Sequence, residues 1–344
     1  VSSLGDAFDV DPAELERIDD LRQALRRTQQ QLAKVKDWRD EMAGVVTQAA
    51  HDATLSLGPV APVAKAAKDR RKARAEHALI HATDWQGAKV TTSYNSQVMR
   101  ERVMLLAEKV KRLTTIQRAD HPVPSATVMF GGDMIEGLFN FPTQPFEIDA
   151  TLFEQYTSVA RLMVDFLREL LTTFERVDVI GEWGNHGRLG SRRDAVPRSD
   201  NADRMTYALA RALLLDEPRL TWEDSAEDVQ RVEIGNYRAL LMHGDEIGRG
   251  GFASPMTIVR HADRWRSGAF PWEFRDLYVG HYHTHNEWAM ANGHGSVFQT
   301  GSTESDNRYA RETMAASAIP SQRLHFIDPQ RGRVTAQYKV LLDE

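Results

Sequence analysis

Gly280-His281-Tyr282-His283-Thr284-His285 sets three histidines at alternate positions immediately after a glycine. The preceding run, Arg275-Asp276-Leu277-Tyr278-Val279, is rich in β-branched and aromatic residues and predicts a buried strand. A lone histidine is ordinarily a hydrogen-bonded core or surface residue. Three of them clustered at a strand end point to a metal site, because neutral imidazole is the commonest side-chain ligand of transition metals. The chain contains no cysteine, so disulfides and thiolate ligands are excluded and any metal must be held by nitrogen and oxygen.

Elements that could position such a site follow in order. Asp11-Pro12-Ala13-Glu14 reads as a helix start, with Asp as cap and Pro at the first helical position. A long helix is expected from there to about residue 56. Ile18, Leu21, Leu25, Leu32, Val35, Met42, Val46, Ala49 and Ala53 keep a seven-residue spacing interrupted by Thr28 and Arg39, which predicts a coiled coil and a homodimer. The competing reading is a helix folded back on its own domain. Residues 58–77 form a basic linker with Lys65, Lys68, Arg70, Arg71, Lys72 and Arg74.

From 78 onward, strands and helices alternate. Strands are predicted at 78–83, 126–130 and 177–181, and helices at 96–117, 152–174 and 202–214. A hairpin is expected at 229–234 and 237–242, a helix at 255–266, and strands at 287–290 and 296–299. A last hairpin joins 323–327 to 333–341. Alternation that becomes hairpin-rich predicts an α/β fold, a layered sandwich of two mixed sheets covered by helices.

The strand ends carry the chemistry. They deliver Asp84-Trp85-Gln86, Gly132-Asp133, Gly184-Asn185-His186, His243-Gly244-Asp245 and finally the histidine cluster. Open α/β sheets place ligands at that edge, and the glycines allow tight turns and close approach. Taken singly, Asp133 could cap a helix and His243 could be a core residue; five such ends in succession make that reading improbable.

In this order the series resembles the calcineurin-like metallophosphoesterase superfamily, whose pattern is Asp-x-His, Gly-Asp, Gly-Asn-His, a later His and Gly-His-x-His. The details are also similar to phosphoesterases encoded by bacteriophages. The resemblance covers roughly 78–340. It implies a four-layer α/β/β/α sandwich, with residues 1–57 as a separate N-terminal helix and 78–344 as the catalytic domain. It also implies two divalent ions, manganese foremost with iron or zinc as alternatives, bridged by Asp133. Asp84, Gln86 and His283 would complete one position, and Asn185, His243 and His281 the other. His186 would act as acid or phosphate contact, making it with Asp133 the catalytic pair. His285 has no counterpart in the pattern.

Two departures stand out. Gln86 occupies a position where the family usually has histidine, so weaker binding is expected there. Gly187 replaces the acidic residue that often orients the histidine, leaving Glu182 or Asp245 as substitutes and Glu136 as a supporting residue.

The implied activity is hydrolysis of phosphodiester bonds by metal-activated water. A nuclease on DNA or RNA, similar to the SbcD-type exonucleases, is the leading expectation, with Arg188, Arg192 and Arg193 as substrate contacts. Trp85 and Trp183 flank the ligand loops as packing residues or base platforms. The alternatives are a nucleotide or cyclic-nucleotide phosphodiesterase, a protein phosphatase, or a scaffold of the same fold, as in retromer-type relatives. The chain of 344 residues has a net charge of −6, no run of apolar residues long enough to span a membrane and no secretory pattern at its start. A cytoplasmic protein without membrane partners is expected.

Overall fold

The computed structural model describes residues 60–68, 73–140, 144–190, 197–223, 227–247, 253–306 and 319–343, with scattered positions between 17 and 52. Those scattered positions are helical and exposed, Leu21 and Leu25 among them at 65% and 58%. The expected heptad lies largely outside the described residues.

Strands that are apolar on both faces must be covered on both sides. β1 (His77–Ala82), β2 (Ser125–Gly131) and β3 (Arg176–Glu182) meet this requirement, with nearly every residue buried. They run parallel at the centre of a six-stranded sheet. β4 (Leu220–Glu223) closes one side in parallel, while β10 (Ser321–Asp328) and β11 (Arg333–Leu341) add antiparallel strands on the other. A second sheet of five strands has the order β5 (Gln230–Ile234), β6 (Tyr237–Met242), β7 (Asp276–Val279), β9 (Ser296–Gln299), β8 (Asn286–Ala289). Both sheets are mixed.

The sheets share one apolar layer. Leu79, Met129, Ile180 and Ile327 of the first meet Val232, Ala239, Leu241, Tyr278 and Phe298 of the second. Three helices cover the first sheet: α1 (Ser96–Gln117), α2 (Leu152–Leu171) and α3 (Ala202–Leu213). α1 buries Met99, Val103, Leu106 and Val110 at three- and four-residue intervals, and Phe166 of α2 packs against Phe130. α4 (Pro255–Arg264) buries Ile258 and Ala262 against Leu240, Leu277 and Val279 of the second sheet. The architecture is therefore the expected α/β/β/α sandwich.

Cap chemistry sets the helix starts. Asn95, Thr151, Asn201 and Ser254 each accept a backbone N–H of the first turn, Thr151 in a reciprocal box with Glu154. β4 is missing from the sequence-based assignment, because its four residues alternate at a sheet edge and show no continuous apolar run. Beyond α4 the chain continues as one π-helical turn, Trp265–Ala269.

The basic linker is partly tied down. Arg74 pairs with Asp328 at 2.8 Å, and Arg219 Nη2 donates to the carbonyl of Val63 at 3.0 Å. Lys65 and Lys68 are exposed, while Arg70, Arg71 and Lys72 lie outside the described residues. Among the described residues no helix is long and apolar enough to cross a membrane.

Candidate metal centre

Five strands of the two sheets end at one edge, and the chain turns sharply there. Asp84, Gln86, Asp133, His281 and His283 all have positive φ, between 50° and 64°. That left-handed conformation costs a non-glycine residue about 1–3 kcal/mol and persists only where its surroundings enforce it. Here backbone bonds do so: Asp84 N donates to Gly132 O and Gln86 N to Asp133 O, each at 3.0 Å. His281 N donates to the Asp84 carboxylate at 3.0 and 3.1 Å.

Two glycines permit the close approach of these turns. A Cβ on Gly184 would stand 2.0 Å from Asp133 Oδ1, and one on Gly280 would stand 2.5 Å from Asp84 Oδ2.

Asp203, at the start of α3, secures both neighbouring loops. Its buried carboxylate accepts from the backbone N–H of Asp133 (2.8 Å), Met134 (3.0 Å), Ile135 (3.3 Å) and Gly184 (2.9 Å). Burial, with the charge of Asp133, pushes its pKa up to about 6 despite those bonds. Asp203 is wholly buried.

One ligand atom from each of Asp133, His243 and His281 falls within 4.8 Å of the others. His243 Nδ1 lies 2.8 Å from the carbonyl oxygen of Gly131, which can only accept, so Nδ1 carries the hydrogen. The Nε2 lone pair of the neutral ring then faces Asp133 Oδ2 at 3.0 Å. Two acceptors at that separation require a proton or a cation. In the metal-free protein a proton serves: burial alone would lower His243, but Asp133 outweighs it and raises the pKa to about 10. A divalent ion can take the proton's place, with the Nδ1 bond fixing the ring. Asn185 Oδ1 is buried without a hydrogen-bond donor, as is Gln86 Oε1. The donor set of carboxylate, imidazole and amide oxygen therefore fits a divalent metal.

The other predicted position has the same logic. His283 Nε2 is 3.2 Å from Asp84 Oδ1, and its Nδ1 is 3.1 Å from Glu304 Oε2. Glu304 orients the ring from the loop after β9. Gln86 is fully buried, with Nε2 3.4 Å from His283 Nε2. Asp84 also accepts from Thr83 Oγ1 at 2.8 Å.

His186 stands beside Asp133. Its backbone N donates to Asp133 Oδ1 at 2.7 Å, and its Nε2 lies 3.8 Å from Oδ2. Nδ1 is 3.2 Å from Glu136 Oε2, and Lys89 Nζ is 3.1 Å from Glu136 Oε1. Burial works against the charged ring, but Glu136 and Asp133 raise it to about 9.

The carboxylate that touches His186 is thus Glu136, neither Glu182 nor Asp245. Glu182 accepts from Gln230 Nε2 at 2.9 Å, and Asp245 takes the guanidinium groups of Arg188 and Arg198. An acidic side chain at 187 has no room, since a Cβ there would stand 2.3 Å from Asn201 Oδ1, the cap of α3.

The expected substrate contacts fare differently. Arg188 is held by Asp245, while Arg192 and Arg193 lie outside the described residues. Trp85 and Trp183 are 0% and 1% exposed; they pack inside and offer no stacking platform.

Sequence reasoning missed Asp203 and Glu304. The Asn201-Ala202-Asp203 cap following the Gly-Asn-His loop was a usable signal for the first. For the second, the polar Thr300-Gly301-Ser302-Thr303-Glu304 run after a strand was another.

No family model matches the sequence, and no curated protein matches it. Structural matches include Vps29 from Entamoeba histolytica complexed with zinc, 13% identical with a TM-score of 0.34, covering 77% of this chain and 99% of that one. A hypothetical protein from Pyrococcus horikoshii is 11% identical with a TM-score of 0.41, covering 78% and 89%. A predicted phosphoesterase from Streptococcus pneumoniae is 12% identical with a TM-score of 0.31, covering 78% and 99%.

Proposed function

We propose that this protein is a metal-dependent phosphoesterase that hydrolyses phosphodiester bonds. The observation that carries the reading is the convergence of Asp133, His243 and His281 within 4.8 Å, with His186 and Glu136 alongside. Asp133, His243, His281 and Asn185 would hold one ion, and Asp84, His283 and Gln86 a second, manganese being the first candidate. Bound divalent cations supply Lewis-acid polarisation of phosphate oxygens and lower the pKa of water.

The chain's own groups do the rest. In the metal-free protein Glu136 and Asp133 raise His186 toward its charged form, and its Nε2 would then donate a hydrogen bond to phosphate or a proton to the leaving oxygen. Glu304 and Gly131 orient the rings of His283 and His243.

Within that activity, a nuclease on DNA or RNA rests on Arg192 and Arg193. A small diester such as a cyclic nucleotide is favoured by a specific observation: Arg188 and Arg198 are both paired with Asp245, Arg198 also with Glu246, and both tryptophans are buried.

The test compares hydrolysis of bis-p-nitrophenyl phosphate and single-stranded DNA, in manganese and in EDTA, for the wild type and His281→Ala. Metal-dependent turnover of the small diester, lost in the variant, is the expected result. Cleavage of DNA as well would establish the nuclease. Turnover of neither, by protein shown to carry metal, would overturn the hydrolytic reading and leave a scaffold.

A further inference from the structure

β10 and β11 form an antiparallel pair in which Arg323 stands opposite Lys339 and His325 opposite Gln337. Directly paired residues project to the same face, so two cations lie side by side. Like charges directly opposite each other are destabilising, and an anion held between them would relieve the repulsion.

The arrangement is more demanding because Arg323 is 2% exposed. Its hydrogen bonds all go to neutral acceptors: Thr300 Oγ1 (3.3 Å), His325 Nε2 (3.2 Å) and the carbonyls of Asn286 and Gln299 (2.8 Å each). Among the described residues neither Arg323 nor Lys339 has a carboxylate partner. A buried charge without an ion-pair partner is costly; burial pulls this guanidinium down to about 10, although Glu287 opposes the shift and the Phe298 ring lies 5.0 Å from it.

Beside this pair is a cavity of about 350 Å³, lined by His285, Asn286, Glu287, Arg323, Gln337 and Lys339 among others. His285 Nδ1 is buried there with no hydrogen-bond partner. Glu287 is the one carboxylate of the lining, and its Oε1 accepts from Ser296 Oγ at 2.9 Å.

We propose that this cavity, between the edge strand β8 and the β10–β11 pair, binds a phosphate-class oxyanion through Arg323 and Lys339. Gln337 supplies a neutral polar contact. Two cations and several donors suit a tetrahedral, multiply charged ligand better than a single carboxylate. The volume falls in the range of small-molecule sites, so a phosphomonoester fits as well as free phosphate. The pocket is separate from the metal residues but wired to them. Gln299 accepts from Arg323 through its carbonyl and holds Thr284 through its side-chain amide at 3.0 Å. Thr284 is the residue after His283. Occupancy would thus bear on the loop that carries a proposed metal ligand.

The test measures thermal unfolding and calorimetric binding of full-length protein with inorganic phosphate, AMP or acetate at constant ionic strength. The background is Asp133→Asn, which disables the metal centre, so the outcome is independent of hydrolysis. Phosphate is expected to raise the unfolding temperature where acetate does not. Lys339→Glu in the same background should weaken phosphate binding by at least about tenfold. Because it places a carboxylate opposite Arg323 on an exposed edge, it should also raise the unfolding temperature in phosphate-free buffer. Tighter binding of AMP than of phosphate would identify a phosphomonoester as the occupant; the reverse would identify the free ion. An absent phosphate response, an equal response to acetate, or a response untouched by Lys339→Glu would overturn the proposal.

Discussion

Replacing Gly184 by alanine adds one methyl group at the tightest point of the metal centre. The new Cβ would stand 2.0 Å from Asp133 Oδ1 and 2.4 Å from Asp133 N, where ordinary contact begins at 3.4 Å. Relief needs a separation of roughly 1.4 Å at the carboxylate, the difference of those figures. Neither side yields easily. Asp133 N and Gly184 N are both fixed to Asp203 Oδ2, at 2.8 and 2.9 Å, and Asp133 already sits at positive φ. Metal–ligand distances tolerate only about 0.2 Å, so the displaced carboxylate would no longer serve. The expected outcome is a loss of metal affinity of at least about 100-fold, measured by titration and by metal content after dialysis. Overpacking should also cost about 1–3 kcal/mol. For a chain of this size that lowers the unfolding temperature by about 1–4 °C. Gly268→Ala is the control: φ there is 106° but nothing lies within 4 Å, so only backbone strain is added. It should lose about 1–2 kcal/mol and keep its metal. Wild-type metal content and affinity in Gly184→Ala would refute the reasoning, because Asp133 would then be free to move.

Glu136→Gln removes the carboxylate that holds His186 protonated, and the ring's pKa should fall from about 9 toward its ordinary value. Turnover of a diester should drop by about 100-fold with metal content intact, and the alkaline limb of the pH–rate profile should move to lower pH; an unshifted limb would count against the pairing. His77, bonded to Ser125 Oγ and Thr127 Oγ1 at 2.8 Å each, is lowered to about 4 by burial. The unfolded ring therefore takes up a proton that the folded one refuses, and stability should fall as pH drops from 6.5 to 4, by about 3 kcal/mol in total. His77→Gln should flatten that slope in denaturant titrations, and an unchanged slope would place the effect elsewhere.

The layered architecture was legible because its strands and helices keep clean periods. β1, β2 and β3 are built around short apolar runs (Ala78-Leu79-Ile80, Val128-Met129-Phe130, Val179-Ile180), and α1 repeats its buried residues every three or four positions. The loops that meet at the candidate centre were legible because glycine, aspartate and histidine recur at strand ends. Support for those loops was hidden. Asp203 and Glu304 act across long stretches of chain, so the local runs that contain them mark a position without naming the groups they hold. The choice among acidic partners for His186 also depended on tertiary placement, since Glu182 and Glu136 are both buried and only Glu136 faces the ring. Arg188 looked available for substrate because its partner Asp245 is 57 positions away.

Five side chains at the candidate metal centre stand on backbone that prefers glycine. Local conformational economy and donor geometry therefore pull in opposite directions at those positions. Were metal binding no longer selected, glycine or asparagine would be the cheapest replacements there, and each would leave the fold better relaxed. The candidate centre is in that sense the part of the molecule where backbone preference and donor chemistry are most directly opposed.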